Sequence, residues 1–148
     1  MNLFDRVNQD IKQAMRNKDK ERLEALRAVK SAFLLAKTEK SDNNLTPEKE
    51  LSIVQRLVKQ RVDSAKIYKE NNRMDLYEAE MEQAKVIKEY LPASLTDEEL
   101  NEYLKGLINK IGASTMKDMG KIMSIATKEL AGKADGSRIS AVVKQLLS

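Results

Sequence analysis

The sequence has no cysteine, no histidine and no tryptophan. Without thiols there is no disulfide, no thiolate metal site and no cysteine nucleophile, and without imidazole there is no histidine general base. Any acid–base chemistry falls to Asp, Glu, Lys or Tyr. Aromatics make up only 4% of the chain, so the core has to be built from Leu, Ile, Val, Met and Ala. Two prolines in 148 residues leave long stretches free to be helical. Long hydrophobic runs are missing as well: AFLLA, Ala32 to Ala36, falls far below the ~20 residues of a membrane span. The first fifteen residues carry Asp5, Arg6, Asp10 and Lys12, which leaves no signal-peptide core there. The expectation is a soluble cytoplasmic protein with no metal, cofactor or membrane partner. A net charge of +4 permits an acidic partner such as RNA without demanding one.

What is present is helical period. Leu3, Val7, Ile11 and Met15 recur every four residues, and Leu23, Leu26, Val29, Phe33 and Ala36 continue the pattern after the polar stretch NKDK. SDNNLT, Ser41 to Thr46, reads as a loop of turn formers. Thr46 is then a helix cap, with Pro47 at the first helical position and Glu48 in the first turn. Val54, Val58, Arg61, Ala65 and Tyr68 form the next stripe. ENNR interrupts it, and Leu76, Glu80, Ala84, Ile87 and Leu91 resume it. Two helices of about twenty residues around a short polar turn predict an antiparallel hairpin.

All five glycines follow Pro92, whereas five of the six aromatics precede it, so a boundary is expected there. The expected division is an N-terminal helical domain, 1–92, and a small three-helix domain, 93–148. In the second, Thr96 and Glu99 form a capping box, with Leu95 and Leu100 as the hydrophobic staple. Leu100, Leu104, Leu107 and Ile111 make one apolar face, which Gly112 ends. Thr115 begins a helix bearing Met116, Met119, Met123, Ala126 and Leu130, and Gly132 stops it. Asp135 caps the last helix, whose core face is Ile139, Val142, Val143 and Leu146. No strand alternation is visible. The fold class is all-α.

The stretch KDMGKIMSIATKELAGKADGSR, Lys117 to Arg138, holds three glycines and five basic residues. It is not a P-loop, because neither Gly-Lys pair is followed by Ser or Thr or preceded by a glycine five positions earlier. Gly120 borders the apolar stripe, which reads as a place where a neighbouring helix crosses closely. Lys117, Lys121, Lys128, Lys133 and Arg138 form either a solvated face or a set of phosphate contacts, which would fix register without reading bases. In the hairpin, Arg61 and Glu80 each occupy an apolar stripe. Burying either charge unpaired is costly, so they read first as a structural ion pair and second as a ligand site.

LRAVKSA, VKQRVDSAKIY, NRMDL followed by Glu80, YLP, DMGKIM and GKADGSRIS together resemble the GatB/YqeY family over essentially the whole chain. The resemblance implies an N-terminal helical domain followed by a three-helix domain. It also implies kinship with the tail of the B subunit of the glutamine-dependent tRNA amidotransferase, a carbon–nitrogen ligase with glutamine as amide donor. In that enzyme the tail contacts tRNA while the chemistry happens elsewhere, and this chain has no counterpart of the catalytic body. The implied function is a tRNA- or RNA-associated binding module without catalysis of its own. An accessory part of an amidotransferase, with protein partners in aminoacyl-tRNA metabolism, and a helical protein-interaction scaffold are the alternatives.

Overall fold

The computed structural model describes residues 2–39 and 45–148. Ser41 to Asn44 of the expected loop lie outside the described residues, which are helical throughout with no strand among them. They divide into two compact units, Met1–Leu91 and Pro92–Ser148.

The first unit contains α1 (Leu3–Arg16), α2 (Lys20–Glu39), α3 (Pro47–Glu70) and α4 (Met74–Lys88). α3 and α4 pack along each other as the expected hairpin, α1 packs along α2, and α2 also meets α4. Thr46 accepts a hydrogen bond from Lys49 N, with Pro47 in the first turn. The α1–α2 turn needs a left-handed residue at Lys18, and the α3–α4 turn needs one at Asn72 (φ 60°), a residue type that tolerates it. The core is Val7, Leu26, Val29, Phe33, Val54 and Ile87, with Phe4 tilted against Phe33 at 6.4 Å between ring centroids.

Two stripes end earlier than the spacing predicts. A strict four-residue repeat rotates about 40° around the helix at each step, so α1 buries Ala14 and leaves Met15 54% exposed. α4 stops at Lys88 rather than reaching Leu91. Glu89, Tyr90 and Leu91 tighten into hydrogen bonds reaching only three residues back, as suits a chain approaching Pro92.

The Arg61–Glu80 ion pair does not form. Both residues are only half-buried, and Arg61 Nε donates to Gln83 Oε1 at 3.0 Å while its Nη1 reaches the Leu57 carbonyl. The reason is register. Arg61 and Gln83 are equidistant from Asn72 at the hairpin tip, so they lie at the same level, and Glu80 sits one turn nearer the tip.

Tyr90 is buried where α1, α2 and the end of α4 converge. Its hydroxyl donates to Asp10, Arg6 covers the ring face at 4.8 Å, and Arg22 pairs with the adjacent Glu89 at 2.7 Å. Burial, and then the carboxylate of Asp10, push the phenol well above its ordinary value near 10. The unfolded chain therefore ionises first. This contribution to stability is fully present below pH ~10 and is lost as pH rises through the alkaline range. A Tyr90→Phe variant should lose Tm less steeply above pH ~10 than the parent. Equal slopes in an alkaline melting series would refute this account.

The second unit contains α5 (Asp97–Ile111), a single 3₁₀ turn (Met116–Asp118), α6 (Met119–Glu129) and α7 (Gly136–Leu147). Its core is Leu100, Leu104, Ile122, Ala126, Ile139 and Val143, all fully buried. The Thr96–Glu99 capping box is present in both directions, and its backbone bond holds the Glu99 carboxyl below the usual range. Gly112 ends α5 in the left-handed conformation, φ 71°, and Asp135 caps α7. Ile122, absent from the expected stripe, is fully buried together with Ala126, while Met116 is 46% exposed because it precedes α6 on the 3₁₀ turn.

Candidate nucleic-acid interface

The glycine-rich stretch folds as a junction. Leu95 N donates to the Lys133 carbonyl at 3.0 Å, and Arg138 Nη2 donates to the Leu95 carbonyl and to Asp97 Oδ1, each at 2.9 Å. Ser137 Oγ and Arg138 N both donate to Asp135 Oδ1, and Gly132 takes φ 79° to make the turn. The start of the unit is thus laced to the α6–α7 turn from both sides. Gly120 has no comparable duty: it is exposed, and a Cβ there would meet nothing within 4 Å. The expected close helix crossing is absent, because the buried side of α6 is centred on Ile122 and Ala126, not on the Gly120 side of the stripe.

This junction separates the five basic candidates. Arg138 has a duty in the fold: its side chain is only about one-third exposed, and Nη2 already holds a carbonyl and a carboxylate. Lys121 and Lys128 lie seven residues, or about two turns, apart on α6. Lys117 sits on the 3₁₀ turn before that helix and Lys133 on the turn after it. All four lysines are exposed, and among the described residues none has a carboxylate at ion-pair distance.

The acidic residues of the same segment are occupied. Asp118 accepts from Ser114 N at 3.1 Å and closes the cap at Thr115, and Glu129 accepts from the Tyr103 hydroxyl. Burial, then that carboxylate, raise the Tyr103 phenol well above its ordinary value. An open groove of about 640 Å³ runs beside this pair, lined by Leu95, Tyr103, Gly106, Lys110, Leu130 and Lys133 among others. Neither the groove nor the commitment of Glu129 was readable from spacing, since Tyr103 and Glu129 stand on different helices.

The first unit offers a different electrostatic surface. A cleft of about 370 Å³ between α2 and α4 is lined by Glu21, Glu24, Asp75, Glu78 and Glu82, which would repel a phosphate backbone. Arg73 is paired with Asp75 at 3.3 Å, whereas Arg27, Lys30 and Lys59 are among the cations of this unit that make no ion pair among the described residues. Among the described residues no group of His, Cys, Asp or Glu is arranged to hold a metal, and no helix is long and apolar enough to cross a membrane.

The resemblance implies an N-terminal helical domain followed by a three-helix domain, and the described residues form a first unit of four α-helices and a capped second unit of three. The profile of the family described as Yqey-like protein matches residues 4–147. The chain belongs to this Yqey-like family. It is similar to the protein named altered inheritance of mitochondria protein 41, mitochondrial, of Clavispora lusitaniae, with 34% identity over 116 residues. That match covers 76% of this chain and 66% of the relative, just under two thirds of its length. The protein of the same name from Vanderwaltozyma polyspora is 28% identical over 93% of this chain and 77% of its own length. The one from Pyrenophora tritici-repentis is 25% identical over 96% and 79%. Their name places these relatives in mitochondria, a compartment that the cytoplasmic expectation did not include.

Proposed function

We propose that this Yqey-like chain is an RNA-associated binding module, with tRNA as its target class, acting through the second unit and carrying no catalysis of its own. One observation carries the reading. Between Thr115 and Ala134 every carboxylate is engaged in a hydrogen bond within the fold, while all four lysine ammonium groups are exposed and unpaired. Such a surface offers point charges for phosphates, which give affinity and register but no base readout. The resemblance of this unit to the tRNA-contacting amidotransferase tail supports the same target. Catalysis is disfavoured by what remains for it. There is no imidazole or thiol, and the phenols of buried Tyr90 and half-buried Tyr103 are held as donors to carboxylates far from a working pH.

The test is a titration of the full chain with total tRNA at several salt concentrations. Each phosphate contact contributes roughly 0.7–0.9 to the slope of log affinity against log salt. A Lys121→Glu, Lys128→Glu double variant should therefore bind more weakly and with a slope shallower by roughly 1.5, at unchanged helicity. Discrimination between tRNAs should stay as it was. A parent chain that binds no tRNA at low salt would overturn the reading in favour of a protein-interaction scaffold. Binding that survives both reversals would remove it from α6 and leave Arg27, Lys30 and Lys59 as the cations to test.

A further inference from the structure

The outer side of α4 is a seam with no helix packed on it among the described residues of the first unit. Met74, Glu78, Met81, Lys85 and Lys88 follow one another at intervals of four, three, four and three residues, which keeps them on one helical face. All five are exposed, Met74 by 45% and Met81 by 36%. Beside them Val58 and Val62 of α3, with Tyr77 and Ala84, line an open groove of about 640 Å³. Val62 is itself 41% exposed. Apolar side chains left in water along one helix pair are unfavourable unless something covers them.

The charges on this seam identify the cover. On the seam Glu78 lies toward the start of the helix and Lys85 and Lys88 toward its end, while Glu82, beside the seam, sits one residue past the midpoint Met81. Among the described residues none of the four makes an ion pair within the chain. Glu78 lies three residues before Met81, and Lys85 four after it. A second copy of α4, turned by a two-fold axis through Met81, runs antiparallel to the first. Met81 then meets Met81, and each Glu78 faces Lys85 of the other copy. A parallel copy would instead set Glu against Glu and Lys against Lys. The seam is therefore complementary to itself in one orientation, the property an isologous interface requires. We propose that this face of the α3–α4 hairpin is the interface of a homodimer, with α4 packed antiparallel against α4 of the second copy.

Sedimentation of the full chain over a range of micromolar concentrations tests this. The parent should be dimeric, with an association that weakens as salt rises. Glu78→Lys alone and Lys85→Glu alone each place like charges across the axis and should weaken dimerisation by roughly tenfold or more. The combined Glu78→Lys, Lys85→Glu exchange restores opposite charges and should recover the parent's association. Circular dichroism on all four proteins separates lost pairing from lost helix. A parent that stays monomeric up to about 100 μM would overturn the proposal. So would a dimer indifferent to both single reversals, or an exchange variant that stays as weak as the singles while fully helical.

Discussion

Truncating Phe33 to alanine is expected to destabilise the first unit by about 3–5 kcal/mol. Phe33 is among the fully buried side chains and stands in the middle of a core that otherwise consists mostly of aliphatic residues. It lies on α2, the helix that meets both α1 and α4, and its ring packs against Phe4 of α1. Deleting it removes the transfer free energy of the ring and leaves a cavity that three helices would have to collapse into. A domain of this size loses roughly 4–8 °C of Tm per kcal/mol, so the first unit should melt far below the parent. Leu35, two residues along the same helix and 61% exposed, is the control. Its alanine variant should melt within about 0.5 kcal/mol of the parent. If Phe33→Ala and Leu35→Ala melt together, the assigned core is wrong.

The second large effect concerns Glu50, the one charged residue buried among the described residues, at 2% exposure. It stands in the first turn of α3, but its carboxylate serves another helix: Oε2 accepts from Phe4 N at 3.0 Å. At the start of α1, Asn2 takes up the N–H groups of Asp5 and Arg6, through its side chain and its carbonyl respectively. Glu50 takes up that of Phe4, an orphan donor that would otherwise be buried. Negative charge here also faces the positive end of the α1 dipole. Glu50→Ala should cost about 2–3 kcal/mol, the range for losing a hydrogen bond to a charged group and stranding its donor. Glu50→Gln keeps an acceptor of nearly the same shape and should cost less than half of that. Denaturant unfolding of the three proteins measures the order. Equal losses in the Ala and Gln variants would mean that charge, not the hydrogen bond, is what α1 requires.

Glu50 was also legible in part. It lies one turn before Val54 on the apolar stripe of α3, the same anomaly that drew attention to Arg61 and Glu80. The pattern says that such a residue faces the interior. It does not say what it will meet there. For Glu50 the answer is a backbone N–H on a helix 46 residues away, for Arg61 a neutral amide, and for Glu80 no ion pair at all. The candidate site divides in the same way. The five basic residues are legible as a concentration of charge on one segment, but spacing could not show that Nη2 of Arg138 holds Leu95 and Asp97.

The sequence by itself determined the all-helical class, the caps at Thr46, Thr96 and Asp135, the left-handed stop at Gly112 and most of the core of the second unit. These are local facts. A cap is chemistry between residues two or three apart, and a helical stripe is a period of 3.6 residues, so both are complete within a few turns of chain. Tertiary structure alone decided the Arg61–Gln83 bond, the Glu50 cap on α1, the Tyr90 contact with Asp10, the Arg138 clasp and the openness around Gly120. Each of these depends on where along two helices they come level and on which side they touch. That is set by the register and packing of whole elements, and a shift of one turn, about 5.4 Å, is enough to exchange one partner for another.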